Sequence, residues 1–192
     1  MAARTVRAVE ERLAAGQAYD AQQMVKAQHR RLRARGEAAA AADLCTECAS
    51  RFGALGEDAL AADLGTELVT AYEDAEAPAS AENLGRIERL LAGLPVAAPR
   101  HALLQRALRW SAASVPRGHP RLHRLAAEAF RSEGQYGRCQ AHLVLCGDGP
   151  ALADLLREWR PHGYPGEGGL FSLRALLILL SLNDVATARS FW

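Results

Sequence analysis

Apolar residues recur along this chain at spacings of three, four and seven. Val6, Val9 and Leu13 open the series, followed by Met24, Val25 and Leu32, then Leu44, Cys45, Cys48, Phe52 and Leu55. Leu60, Leu64, Leu68 and Tyr72 form the next stripe, then Leu84, Ile87, Leu91 and Leu94, and after them Leu103, Leu104, Ala107 and Leu108. Leu122, Leu125, Ala126, Ala129 and Phe130 continue it. This is the period of amphipathic helices, and no sustained period-two alternation predicts a strand. Gly16, Gly36 and Gly56 stand where helix C-caps belong. Pro78, Pro95, Pro99 and Pro116 mark turns, and Pro120 falls in the first turn of a helix, where its missing N–H does no harm. The pattern predicts ten or eleven helices of about 10–20 residues.

Three lines repeat on a twenty-residue beat: "GQAYDAQQM" from Gly16, "GEAAAAADL" from Gly36 and "GEDALAADL" from Gly56. A four-turn helix plus a short corner has this length. Ala21, Ala41 and Ala61 fall one turn into each helix, where a small side chain permits close helix approach, and Met24, Leu44 and Leu64 fall on the same face. A looser copy starts at Gly134, with Cys139 in the small position, and "LNDVATARSFW" starts another. The expected fold class is all-α: an α-solenoid of stacked helical hairpins, tetratricopeptide-like, forming one helical-repeat domain over residues 1–192.

Composition narrows the function. The net charge of +1 argues against a dedicated nucleic-acid binder. Charge is nevertheless segregated: residues 1–36 carry net +5 and residues 37–90 net −9, which predicts a charged docking face. Candidate contact residues on the basic hairpin are Arg4, Arg7, Arg12, Lys26 and Arg30. The apolar run "LFSLRALLILLSL" at Leu170–Leu182 is too short to span a bilayer and contains Arg174, so it predicts a buried core helix and no direct membrane insertion. Four cysteines without an apolar leader predict reduced thiols in the cytosol.

Candidate chemistry is sparse. Cys45 and Cys48, with Cys139, His142 and Cys146, have metal-like spacing, so a zinc or thiol-redox protein is an alternative reading. All five lie in predicted helices, where cysteine also packs as a small hydrophobe. No nucleophile elbow, phosphate loop or dinucleotide fingerprint occurs, and "GYPGEGG" lacks the Lys-Ser/Thr of a phosphate loop. No catalytic residues, cofactor or metal are expected.

Several segments together resemble the Golgi-to-ER-traffic protein four family, the helical-repeat adaptors of the guided-entry pathway for tail-anchored membrane proteins. "AGQAYDAQQM" resembles that family's "SGDYYEAHQM" line, "RALRWS" at Arg106–Ser111 resembles "RALKWS", and "GHPRLHRLAAEAFRSEGQY" resembles "GHPRLHQLLA…WKEGNY". "HLVLCGDG" and "LLREWRPHGYPGEGGLF" continue the likeness in order. The resemblance implies a non-enzymatic cytosolic adaptor. Such an adaptor docks the pathway's targeting ATPase through its N-terminal face, grips a ubiquitin-like partner with later helices, and receives clients from a co-chaperone. It implies that Arg4, Arg7, Tyr19, Gln23 and Asp63 lie on the ATPase face. Gln17, Ala18 and Gln22 stand where the family line has an acid, a tyrosine and a histidine. The resemblance also implies further helices beyond Trp192, so the chain is expected to be truncated relative to the family. A generic tetratricopeptide-like scaffold of another complex is the remaining alternative.

Overall fold

The computed structural model describes residues 2–192, with side-chain surroundings from Arg4 onward. Eleven α-helices and one 3-10 turn make up its regular structure, and there is no strand among the described residues. The chain divides into two compact units, one ending at Gly118 and one running from His119 to Trp192.

The first unit holds α1 (Ala2–Ala14), α2 (Ala18–Ala34), α3 (Ala38–Ala54), α4 (Asp58–Asp74), α5 (Ala81–Ala92) and α6 (Ala98–Ser111). Helices α2, α3 and α4 have 17 residues each, and three-residue corners centred on Gly16, Gly36 and Gly56 precede them. Each glycine has positive φ, at 73°, 77° and 79°. At each corner the glycine N–H bonds the carbonyl three residues back, and the next N–H bonds the carbonyl five back, as in Glu37 to Leu32 at 3.0 Å. This is the Schellman cap, and it fixes the twenty-residue beat by closing every helix in the same geometry. The beat has a further stroke that composition hides. Glu76 closes α4 with the same two bonds, through Glu76 N–H to Glu73 and Ala77 N–H to Tyr72, at φ 49°. A side chain there adopts the left-handed conformation that glycine adopts without steric cost.

Ala21, Ala41 and Ala61 are all buried at the start of their helices, as are Leu44 and Leu64. Met24 breaks the pattern: it is half-buried, and Val25 takes the core position. Leu55, expected on the α3 stripe, is instead 62% exposed, because the helix has already ended when it is reached. Successive helices pack side by side, and each also packs on the helix two further along, α1 on α3, α2 on α4, α3 on α5 and α4 on α6. The last of these crossings is close. A Cβ on Gly65 of α4 would sit 2.7 Å from Leu103 Cδ2 of α6.

The second unit holds α7 (Pro120–Ser132), α8 (Tyr136–Leu143), α9 (Gly149–Trp159), a 3-10 turn at Arg160–His162, α10 (Gly168–Ser181) and α11 (Val185–Phe191). Its helices are shorter, and α7 and α10 end in the same cap, at Gly134 and at Asn183 with φ 58°. His119 caps α7 by accepting from the Arg121 N–H at 3.2 Å, and Pro120 follows in the first turn. The next-but-one packing recurs here as α9 on α11, where Gly149 leaves no room for a Cβ beside Ser190.

Helix α10 corrects the expectation of a buried core helix. Only Ala175 and Leu179 are fully buried, whereas Leu170, Leu173, Leu177 and Leu180 are about half exposed or more, at 58%, 49%, 56% and 50%. No helix among the described residues is long and apolar enough to cross a membrane.

Candidate docking surface

The segregated charges of the sequence meet one another in the first unit. Lys26 Nζ of α2 lies 2.5 Å from Asp63 Oδ2 of α4, Arg30 Nε lies 3.5 Å from Glu67 Oε1, and Arg33 Nη2 lies 3.1 Å from Asp74 Oδ2. These pairs form a ladder because basic positions on α2 and acidic positions on α4 advance together at helical spacing. The neighbouring pairs of helices follow the same rule, with Glu10 to Arg51, Asp43 to Arg86 and Glu73 to Arg106. The basic first hairpin and the acidic middle are therefore partners within one unit. Much of the charge expected to face outward is neutralised there.

The candidate residues sort accordingly. Tyr19, Gln23, Lys26 and Arg30 share one stripe of α2, and the structure brings this stripe beside Asp63. Tyr19 is 66% exposed and Gln23 is exposed. Lys26 is mostly covered, at 17% side-chain exposure, while Asp63 remains 48% exposed. Arg12 of α1 points its guanidinium at the sulfur of Met24 on α2 at 3.4 Å, and it also donates to the Ala8 carbonyl. Arg4 and Arg7 are exposed on α1. They keep their charge at the surface, whereas Lys26, Arg30 and Arg33 share theirs with α4.

Gln22 is the residue that sequence reasoning undervalued. It is 2% exposed and donates from Nε2 to Asp63 Oδ2 at 2.6 Å and to the Leu60 carbonyl at 3.3 Å. Two turns on, His29 is fully buried with neither ring nitrogen hydrogen-bonded, 3.9 Å from Glu67. Burial holds its pKa below the ordinary value, with Glu67 acting in the other direction and Arg33 and Arg30 reinforcing the shift. A cleft of about 380 Å³ adjoins it, floored by alanines of α3 and α4 and bounded by Arg33, Tyr72 and Arg86. Arg86 is fully engaged there, donating to Asp43 at 2.9 Å, Glu82 at 2.6 Å and Asn83 at 3.1 Å. A signal for these pairings was present in the sequence. Opposite charges recur slightly less or slightly more than two beats apart, as in Lys26 and Asp63 or Arg33 and Asp74.

The thiols are arranged for packing. Cys45 and Cys48 are fully buried in α3, and the Cys45 thiol donates to the Leu64 carbonyl at 3.5 Å. Burial pushes the Cys45 thiol far up and Cys48 up to about 12. Cys139 and Cys146 in the second unit are raised by burial to about 11. Metal binding and redox attack need the thiolate, which these environments oppose. His142 Nδ1 is already engaged with His123 Nδ1 at 2.8 Å, and burial, then His123, brings His142 down to about 4. No group of three or more metal-ligating side chains occurs among the described residues.

The fold and this surface define a class: a helical-repeat protein of solenoid type, whose distinctive surface is a pair of charge-laced helices. The Golgi to ER traffic protein 4 family model matches residues 35–192, and the chain belongs to that family. Two curated relatives are Golgi to ER traffic protein 4 homologs. That of Oryzias latipes is 33% identical over 119 residues, covering 60% of this chain and 37% of the relative. That of Homo sapiens is 32% identical over 109 residues, covering 56% of this chain and 33% of the relative. The matched stretch is thus well under half the length of these relatives. The fold is also that of the crystal structure of C. therm. Get4, with a TM-score of 0.91 over 99% of this chain and 63% of that one, at 23% identity.

Proposed function

We propose that this chain is a non-catalytic adaptor in the guided entry of tail-anchored membrane proteins to the endoplasmic reticulum. In this reading it works in the cytosol. It holds the targeting ATPase on the face formed by α1, α2 and α4, and it couples that ATPase to a ubiquitin-like partner and a client-loaded co-chaperone. The observation that carries the reading is membership of the Golgi to ER traffic protein 4 family over residues 35–192. The docking face itself lies mainly before residue 35. Its support is structural: the exposed stripe of Tyr19 and Gln23 on α2, the half-exposed Asp63 of α4 against that helix, and the exposed Arg4 and Arg7 on α1.

The mechanism is linkage of binding events. Arg4 and Arg7 present exposed positive charge, so they attract an acidic patch at a distance and raise the association rate. Tyr19 supplies an aromatic body with a polar tip, a side chain favoured at interface centres. Mixing purified protein with the purified targeting ATPase tests the reading. A stable complex detected by light scattering is expected, and a mixture that stays as two separate species would contradict it.

A further inference from the structure

We propose that Gln22 is a positioning residue that fixes the Asp63 carboxylate for docking; this rests on the reading of α2 and α4 as the ATPase face. The amide is almost inaccessible, yet both its donor contacts are to acceptors on α4, Asp63 Oδ2 at 2.6 Å and the Leu60 carbonyl at 3.3 Å. Two acceptors on that side fix the amide orientation, because a flipped amide would aim its oxygen at a carboxylate and a carbonyl. The Gln22 oxygen is left to accept from Gln23 Nε2 at 3.4 Å. Lys26 Nζ meets the same Asp63 oxygen at 2.5 Å. One carboxylate oxygen is therefore held from two sides by residues one turn apart on α2, and none of these contacts uses Oδ1.

A surface aspartate that is 48% exposed ordinarily samples several rotamers, and a partner must then order it on binding. The Gln22 clamp removes that cost in advance, which is preorganisation of a docking group. Lys26 alone is a poor substitute, because an ammonium is a point charge on a flexible stem. The amide carries no charge and does not titrate, so the clamp is indifferent to pH over the range in which carboxylates stay ionised. Its placement also ties the exposed stripe to the core: Gln23 at the surface bonds Gln22, and Gln22 bonds α4.

The test uses Gln22→Met, which keeps the length and packing of the side chain but has no donor. Scalar couplings across the Asp63 Cα–Cβ bond, read by NMR on the free protein, report one rotamer in the wild type and averaged values in the variant. The melting temperature of Gln22→Met stays near that of the wild type, which separates positioning from packing. Affinity for the purified targeting ATPase falls about tenfold, the scale of one hydrogen bond to a charged group. The same change adds nothing in an Asp63→Ala background. Unchanged couplings in Gln22→Met, or a full additional loss in the Asp63→Ala background, would overturn the proposal. If the wild type fails to bind the ATPase at all, the docking reading falls, while the couplings still decide whether Gln22 orders Asp63.

Discussion

Helix α10 is richer in large apolar residues than α4, yet α4 is the one that buries its stripe. In α4, Leu64, Leu68 and Val69 are completely buried, because α2, α3, α5 and α6 all pack on it. In α10, four leucines at Leu170, Leu173, Leu177 and Leu180 stay exposed, because α9, α11 and the 3-10 turn pack only on its other side. A solenoid helix needs a neighbour on each flank before its stripe becomes core. Hydrophobicity thus says how much a helix could bury, and the neighbours decide how much it does.

This difference can be broken most severely in the core. Leu64→Ala is expected to destabilise the first unit by about 3 kcal/mol, the range for a buried leucine truncated to leave a cavity. Leu177→Ala on α10 is expected to cost under about 0.5 kcal/mol, as at ordinary surface positions. Denaturant unfolding of the two variants checks the contrast, and equal losses would contradict it.

Each unit holds a buried histidine that acid works against, and the larger shift is in the second unit. His142 is held near 4, well below its ordinary 6.5, so the unfolded chain binds a proton more readily than the folded one. Stability from this group is complete above about pH 6.5, falls as pH drops through the window toward 4, and changes no further below it. His142→Phe is expected to flatten that slope by removing the imidazole whose pKa burial lowers. Thermal melts at pH 7, 6, 5 and 4.5 read it, and an unchanged slope in the variant would contradict the assignment. His29 shifts in the same direction from burial, so the first unit retains an acid-sensitive component in that variant.

Smaller effects sharpen the corner geometry. Gly36→Ala forces a methyl into the left-handed conformation and is expected to cost about 1 kcal/mol. Glu76→Gly relieves the same strain at the corner where glycine is missing and is expected to gain up to about 1 kcal/mol. Opposite signs at two positions with matching backbone form a stringent check on the cap. Unfolding midpoints that move in the same direction would contradict it.

The helices were legible in the sequence because period and punctuation agree at every corner from Gly16 to Gly56. The fourth stroke at Glu76 was hidden, since a backbone conformation leaves no mark when its residue is not glycine. The α10 exposure was hidden for a different reason: a stripe of leucines reads the same whether or not another helix covers it. At the candidate docking surface, Tyr19, Gln23 and Asp63 were placed by family resemblance and lie together on α2 and α4. The pairing of Lys26 with Asp63 and of Arg30 with Glu67 required the next-but-one packing of helices, which charge totals over blocks of sequence cannot supply. Gln22 departs from the family line, and its place becomes visible only in its burial and its reach to α4.

The central claim is that exposed and internally paired cations do different jobs on this face. Association with the purified targeting ATPase, followed by stopped flow across a range of salt concentrations, tests it directly. Arg4→Glu with Arg7→Glu is expected to slow association by about tenfold and to flatten its salt dependence. Lys26→Met is expected to leave the rate within about twofold, because its charge is already opposed by Asp63. Equal slowing by both changes, or no slowing by the arginine reversals, would contradict the account.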